Sequence, residues 1–252
     1  MAASRVDVAA RLRGLLGWGR WLALPLGSLL ALAFAPGAQY LLAFACTAAL
    51  FVLWHDASPR EAAWRGFLFT VGTFLAGTYW LFHSIHLIGQ APVWVALLLM
   101  LGLVAIMGVY TAIVGYVGAR WAPARGALRW LFLLPALWVL SEWFRGWFLS
   151  GFPWLALGYS QLATPLRGLA PLLGVYGVSL AVAVTAGALA ALLLGGRRDR
   201  IVAVVIVLCV WGAGTAYPAA AKVVWKHNVY ASKWWTRGDL PDNPVLQQHE
   251  TP

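Results

Sequence analysis

Apolar residues in this chain come in long unbroken runs, and polar residues are confined to the gaps between them. The runs cover roughly residues 18–35, 39–54, 66–88, 92–118, 128–147, 172–195 and 200–216. A helix needs about 20 apolar residues to cross the hydrocarbon core of a bilayer. Each run therefore predicts a spanning helix, the second and seventh being short. Pro36 and Gly37 make the first turn, Pro92 opens the fourth run, and Pro123 marks the gap after it. The predicted fold is an all-α integral membrane protein. A cytoplasmic N-terminus (1–17) leads into about seven transmembrane helices (18–216), and a short β-like or disordered tail comes last (217–252).

Composition supports lipid as the solvent. Of 252 residues, 62% are hydrophobic and 10% are charged, against about 25% charged in an ordinary soluble domain. The net charge of +10 does not imply a nucleic-acid partner, because the cations form no single basic face. Instead they alternate between gaps. Arg5, Arg11, Arg13 and Arg20 precede the first run. Arg60 and Arg65 lie in the 55–65 gap, Arg120, Arg125 and Arg129 in 119–129, and Arg197, Arg198 and Arg200 in 196–200. The intervening gaps hold only Arg167, with Arg145 just ahead of the third of them. Basic loops stay in the cytoplasm, so the N-terminus is expected inside and, after seven spans, the C-terminal tail in the periplasm. The first run reads as a retained span and not a cleaved signal, since no cleavage site leads to a soluble domain.

The 16 Trp and 8 Tyr suit interfacial belts and aromatic-lined cavities. Cys46 and Cys209 fall inside apolar runs and read as buried free thiols. His83 and His86, three apart at the end of the third run, read as an interfacial polar pair, because no third ligand accompanies them. No metal or cofactor is expected.

Residues 138–171 form the least ordinary stretch, WVLSEWFRGWFLSGFPWLALGYSQLATPLRGLAP. Glu142 and Arg145 sit among apolar residues, where charge is costly unless paired or facing a cavity. Three apart, they would share a helix face and could form an ion pair. Beyond them Gly, Pro and Trp dominate, so residues 148–171 are expected to be re-entrant or irregular, packed against protein. Two readings stand open. In one, Glu142 and Arg145 only fix the loop and the tryptophans anchor it. In the other, the segment lines a lipid cavity whose polar groups include Glu142, Arg145, Tyr159 and Gln161.

The string from Glu142 to Gln161, with PLRGLAP (Pro165 to Pro171) and GVYGVS (Gly174 to Ser179), strongly resembles the apolipoprotein N-acyltransferases. Leu32 to Pro36, Trp80 to Ile85 and Pro135 to Gly146 resemble further pieces of that family, so the likeness runs over about residues 15–205. The resemblance implies a bacterial inner-membrane enzyme. It would take a fatty acyl chain from a phospholipid, hold it as a thioester on cysteine, and pass it to the diacylated N-terminal cysteine of a lipoprotein. It further implies that the helices hold acyl chains, with Glu142, Arg145, Trp154, Tyr159 and Gln161 as lipid-site candidates. In the family a nitrilase-like domain after the seventh span carries a Glu-Lys-Cys triad, with Cys as nucleophile, Glu as base and Lys at the oxyanion. The 36 residues after 216 are expected to be too few for such a domain, and no cysteine follows Cys209. The expectation is therefore a chain without its catalytic residues, inactive alone.

The tail resembles something else. Tyr230 to Pro241, YASKWWTRGDLP, is similar to the small chitin-binding modules appended to chitinases, as is the stretch from Ala216 to Trp225. That resemblance implies a polysaccharide partner such as chitin, with Tyr230, Trp234 and Trp235 stacking on sugar rings. Such a tail would make the chain a membrane-anchored carbohydrate-binding protein. The competing reading is a tail that rests on lipid headgroups.

Overall fold

A computed structural model describes residues 19–121, 126–148 and 151–216, and the backbone alone of 222–225 and 228–231. All seven apolar runs contain helix. α1 is Gly19–Ala31, α2 Leu41–Leu53, α3 Pro59–Gly77, α4 Trp80–His83, α5 Val93–Trp121, α6 Leu134–Arg145, α7 Ala170–Leu194 and α8 Arg197–Ala216. Among the described residues three helical stretches are long and apolar enough to cross a membrane alone: Val93–Trp121, Pro165–Leu194 and Arg197–Ala216. The second run yields only the shorter apolar helix Leu41–Leu53. Beyond α8, β1 (Lys222–Trp225) pairs antiparallel with β2 (Asn228–Ala231), with Lys222 opposite Ala231 and Trp225 opposite Asn228.

The helix ends follow local chemistry. Ser58 accepts from the Glu61 backbone N–H at 3.3 Å, and Pro59 occupies the first turn, where its missing N–H costs nothing. α3 therefore starts earlier than the third apolar run predicted. It also breaks, because Thr78 leaves helical geometry before α4 begins. A π-helical turn, Ser84–Ile88, comes after α4. A second π turn, Arg129–Leu133, leads into α6, just where Pro135 removes a backbone donor.

Glycines set how closely the helices approach. Gly27 and Gly72 bring α1 and α3 together: a Cβ on either would lie 1.8 or 2.1 Å from a carbonyl of the facing helix. Gly66 and Gly115 do the same for α3 and α5. Without a hydrophobic force between helices in lipid, this close backbone contact is what drives their association. α7 is the central post. Of its most apolar stretch 67% is buried, against 11% for α8, which covers one side of it. That one-sided packing corrects the expectation for Cys209, which is exposed on α8, whereas Cys46 is buried in α2.

α7 is not continuous. Gly174 has φ +65° and ψ −170°, a region open essentially to glycine alone. A Cβ there would meet no neighbour among the described residues, so the expected cost of Gly174→Ala is backbone strain. A loss of about 1–3 kcal/mol is expected, read as a lower thermal midpoint in detergent with the fold intact. An unchanged midpoint would show that the kink is not required.

At the basic end, two arginines that the charge pattern assigned to loops are in fact buried. Arg65 lies within α3 and donates from Nη1 to the Leu53 carbonyl, and Arg129 donates from Nη2 to Trp54 O at 3.1 Å. Trp54 Nε1 in turn donates to Ala62 O at 2.8 Å. The cations thus complement the negative C-terminal end of α2. Glu61 bridges Arg20 and Arg65. Its hydrogen bond from Arg20 holds its carboxyl below the usual carboxylate range, against partial burial that acts the other way.

Candidate lipid site at the irregular segment

Residues 151–169 are irregular, as expected, with two 3-10 turns, Leu157–Gln161 and Pro165–Leu169. An irregular backbone carries many N–H and C=O groups that need partners, and apolar surroundings supply none. Glu142 and Arg145, on one face of α6, satisfy three of them. Glu142 Oε1 accepts from the Leu157 N–H at 2.9 Å and from Trp138 Nε1 at 2.8 Å. Arg145 Nη1 donates to Phe152 O at 3.0 Å and to Trp154 O at 2.7 Å. The ion pair that their spacing allowed does not form: among the described residues the two side chains make no salt bridge with one another. Both are buried, and each is turned to the backbone of the segment instead. Each side chain makes charge-assisted hydrogen bonds to backbone groups that the irregular segment leaves without ladder partners. The pair forms a latch holding 152–157 against α6.

The segment is strained at one place, Leu155, where φ is +59°. The Leu155 side chain is thereby seated against Gly77, where any Cβ would lie 2.6 Å from it. Gly158 is held by the Ser179 hydroxyl at 2.8 Å, and a Cβ there would strike Val175 O.

Beside the latch is a small cavity of about 30 Å³ between α1, α3, α5 and α6. Glu142, Arg145, Thr70, Thr73, Thr111 and Ser141 supply its polar lining, while Leu30, Phe69, Phe74, Met107, Trp138 and Leu155 supply the apolar lining. Thr70 donates to Thr111 at 2.7 Å across α3 and α5. Of the candidates predicted from sequence, only Glu142 and Arg145 line it. Trp154 and Tyr159 are about half exposed, and Gln161 is fully buried, bonded to Ser160 and Thr164. The threonines of α3 and α5 went unnoticed in the sequence. Thr70 and Thr73, three apart inside an apolar run, were the available signal.

An aromatic array extends outward from the cavity wall. Phe74 packs on Phe152 (centroids 6.0 Å), Phe152 stacks on Trp154 (5.0 Å), and Trp154 meets Trp80 (6.4 Å). Arg145 lies over the Phe74 ring at 5.3 Å. A second cluster, Trp143, Phe144, Trp147 and Phe148, continues along the end of α6. Trp80, Trp154, Trp147 and Phe148 are all exposed. The result is an apolar wall with charged groups set behind it, the arrangement expected of a site for an amphipathic ligand.

Elsewhere less is visible. His86 Nδ1 lies 2.7 Å from Ala91 O, and no three potential metal ligands cluster among the described residues. Tyr230 lies in β2, described in backbone only. Trp234 and Trp235, like residues 1–17, lie outside the described residues.

Comparison with known proteins agrees with the reading of 142–161. Residues 26–188 match the family described as the apolipoprotein N-acyltransferase N-terminal domain. An apolipoprotein N-acyltransferase of Methylococcus capsulatus is 42% identical over 206 residues, covering 82% of this chain and 40% of the relative. The enzyme of that name from Chromobacterium violaceum is 36% identical over 223 residues, 88% of this chain and 40% of its own length. That of Pseudomonas syringae pv. tomato is 41% identical over 253 residues, 93% and 49% respectively. The chain thus spans about two fifths to one half of these relatives. None of the three is named for carbohydrate binding.

Proposed function

Because this chain belongs to the apolipoprotein N-acyltransferase N-terminal domain family, we propose that it is the lipid-holding membrane part of an N-acyltransferase. Such an enzyme transfers a fatty acyl chain from a phospholipid to the N-terminal diacylglyceryl-cysteine of a lipoprotein. The observation that carries the reading is the Glu142–Arg145 latch, which lies inside the matched residues and presents Phe152 and Trp154 as an apolar wall. Acyl chains lie along that wall and along the exposed rings of Trp80 and Trp147, with Tyr159 at its edge. Gln161 acts from behind as a buried brace. The basic end faces the cytoplasm of a bacterium and the latch faces the outer leaflet of its inner membrane, by the positive-inside rule.

The chemical step is assigned to no described residue. Cys46 and Cys209 lie within apolar helices, where a thiolate nucleophile is disfavoured.

Lipid retention tests this reading. Protein extracted in mild detergent is expected to carry phospholipid in native mass spectra, and a synthetic diacylated lipopeptide is expected to displace it. The double variant Phe152→Ala, Trp154→Ala leaves both carbonyl acceptors of Arg145 in place. It is expected to retain several-fold less phospholipid. Equal retention by wild type and variant would overturn the proposed wall.

A further inference from the structure

One oxygen of the latch has no hydrogen-bond partner among the described residues. Glu142 Oε1 accepts two hydrogen bonds, while Oε2 is buried and accepts none. A bare carboxylate oxygen in a dry site is costly, yet Glu142 lines a cavity with a polar lining. In the same lining, only Nη1 of Arg145 is engaged by the described residues, leaving donors on Nε and Nη2. Thr73 donates its proton to Phe69 O at 3.0 Å and Thr70 donates its own to Thr111, so the lone pairs of Thr73 remain to accept. Ser141 adds a further hydroxyl.

We propose that this cavity is a binding site for a neutral hydroxyl group, which donates to Glu142 Oε2 and accepts from Arg145. The charge balance selects a neutral occupant. Arg145 already compensates Glu142, so a cation or an anion would add a net charge to a site screened from water. The hydrogen-bond balance selects a hydroxyl. The occupant must offer a donor to a carboxylate and an acceptor to a guanidinium at one point, and it needs two to four polar partners, which this lining supplies. Water meets these demands, and so does the free hydroxyl of a lipid headgroup. The occupant would turn two separate side chains into one bridged pair, and it does so whether or not the acyl-transfer reading holds.

Structure determination at a resolution that shows ordered waters tests the site, with the protein in nanodiscs of phosphatidylcholine alone and of phosphatidylglycerol, whose headgroup carries free hydroxyls. Density about 2.8 Å from Glu142 Oε2 in both lipids supports the proposal with water as the source. Density that continues into a headgroup in phosphatidylglycerol only supports it with a lipid hydroxyl as the source. An empty cavity in both, or Glu142 Oε2 in direct contact with Arg145, overturns it. Difference infrared spectroscopy of wild type against Glu142→Gln gives an independent reading. The Glu142 carboxylate band, read in wild type and in Trp138→Phe, is expected to shift promptly on exchange into deuterium oxide, because the occupant exchanges faster than the buried Leu157 N–H. A band that in Trp138→Phe stays fixed until Leu157 exchanges overturns the proposal.

Discussion

Arg145→Ala is expected to be the most damaging single substitution at the site, costing about 3–5 kcal/mol, the scale seen when one member of a buried charged pair is removed. Two effects add. The carbonyls of Phe152 and Trp154 lose the only side chain that satisfies them among the described residues, each at about 1–3 kcal/mol. Glu142, also buried, loses the nearest compensating cation. Arg145→Lys keeps the charge but not the planar fork that reaches two carbonyls at once, so an intermediate loss is expected. Glu142→Gln should be milder than Arg145→Ala, because the amide oxygen can still accept from Trp138 and Leu157. Thermal unfolding in detergent measures all three, and Arg145→Ala should lower the midpoint by at least about 6 °C. A midpoint within a degree of wild type would mean that the segment is held by packing and not by the latch.

The second large effect is expected from adding a single carbon at helix crossings. In Gly27→Ala the new Cβ would lie 1.8 Å from Phe69 O, and in Gly187→Ala it would lie 1.9 Å from Trp130 O. The obstacle in each case is backbone, which cannot rotate away as a side chain would, so the helices must part. Overpacking in a fitted core costs about 1–3 kcal/mol, occasionally more, and these two sites belong at or above the top of that range. Gly102→Ala is the matched control. It lies within α5 with none of the described residues within 4 Å of the new Cβ, and alanine is the better helix former by about 1 kcal/mol. The expected order of thermal midpoints is therefore Gly102→Ala at or above wild type, with Gly27→Ala and Gly187→Ala well below it. If the three variants unfold together, close approach does not limit packing in this bundle.

Much of this architecture was legible in the apolar runs, because the hydrocarbon core imposes a length that sequence must honour. Interruptions were less visible. The break at Thr78 depends on a local departure from helical geometry, and nothing in the residues Gly77 and Thr78 demands it. Counting arginines recognised the basic end, but Arg65 and Arg129 turned out to be buried, since a carbonyl from a different helix is not visible in sequence spacing. The same limit applied to the site. Glu142 and Arg145 stood out because charge is rare in such surroundings, and their shared face followed from helical periodicity. Their partners did not follow, because Phe152, Trp154 and Leu157 come to them through the path of an irregular segment. The threonines of the cavity were hidden for a related reason: a lone hydroxyl in an apolar helix can satisfy itself on its own backbone, as Thr73 does on Phe69.

The latch grips the segment through one N–H and two carbonyls and touches none of its side chains through hydrogen bonds. Every amino acid carries a carbonyl, and every one but proline carries the N–H needed at 157. Anchoring at these points is therefore blind to residue identity. Mutations at 152 and 154 can recolour the ligand-facing surface without moving the scaffold, so the evolvability of this wall is decoupled from its placement. A library randomised at those two positions, with Glu142 and Arg145 kept, should consist mostly of folded proteins that differ in what they hold.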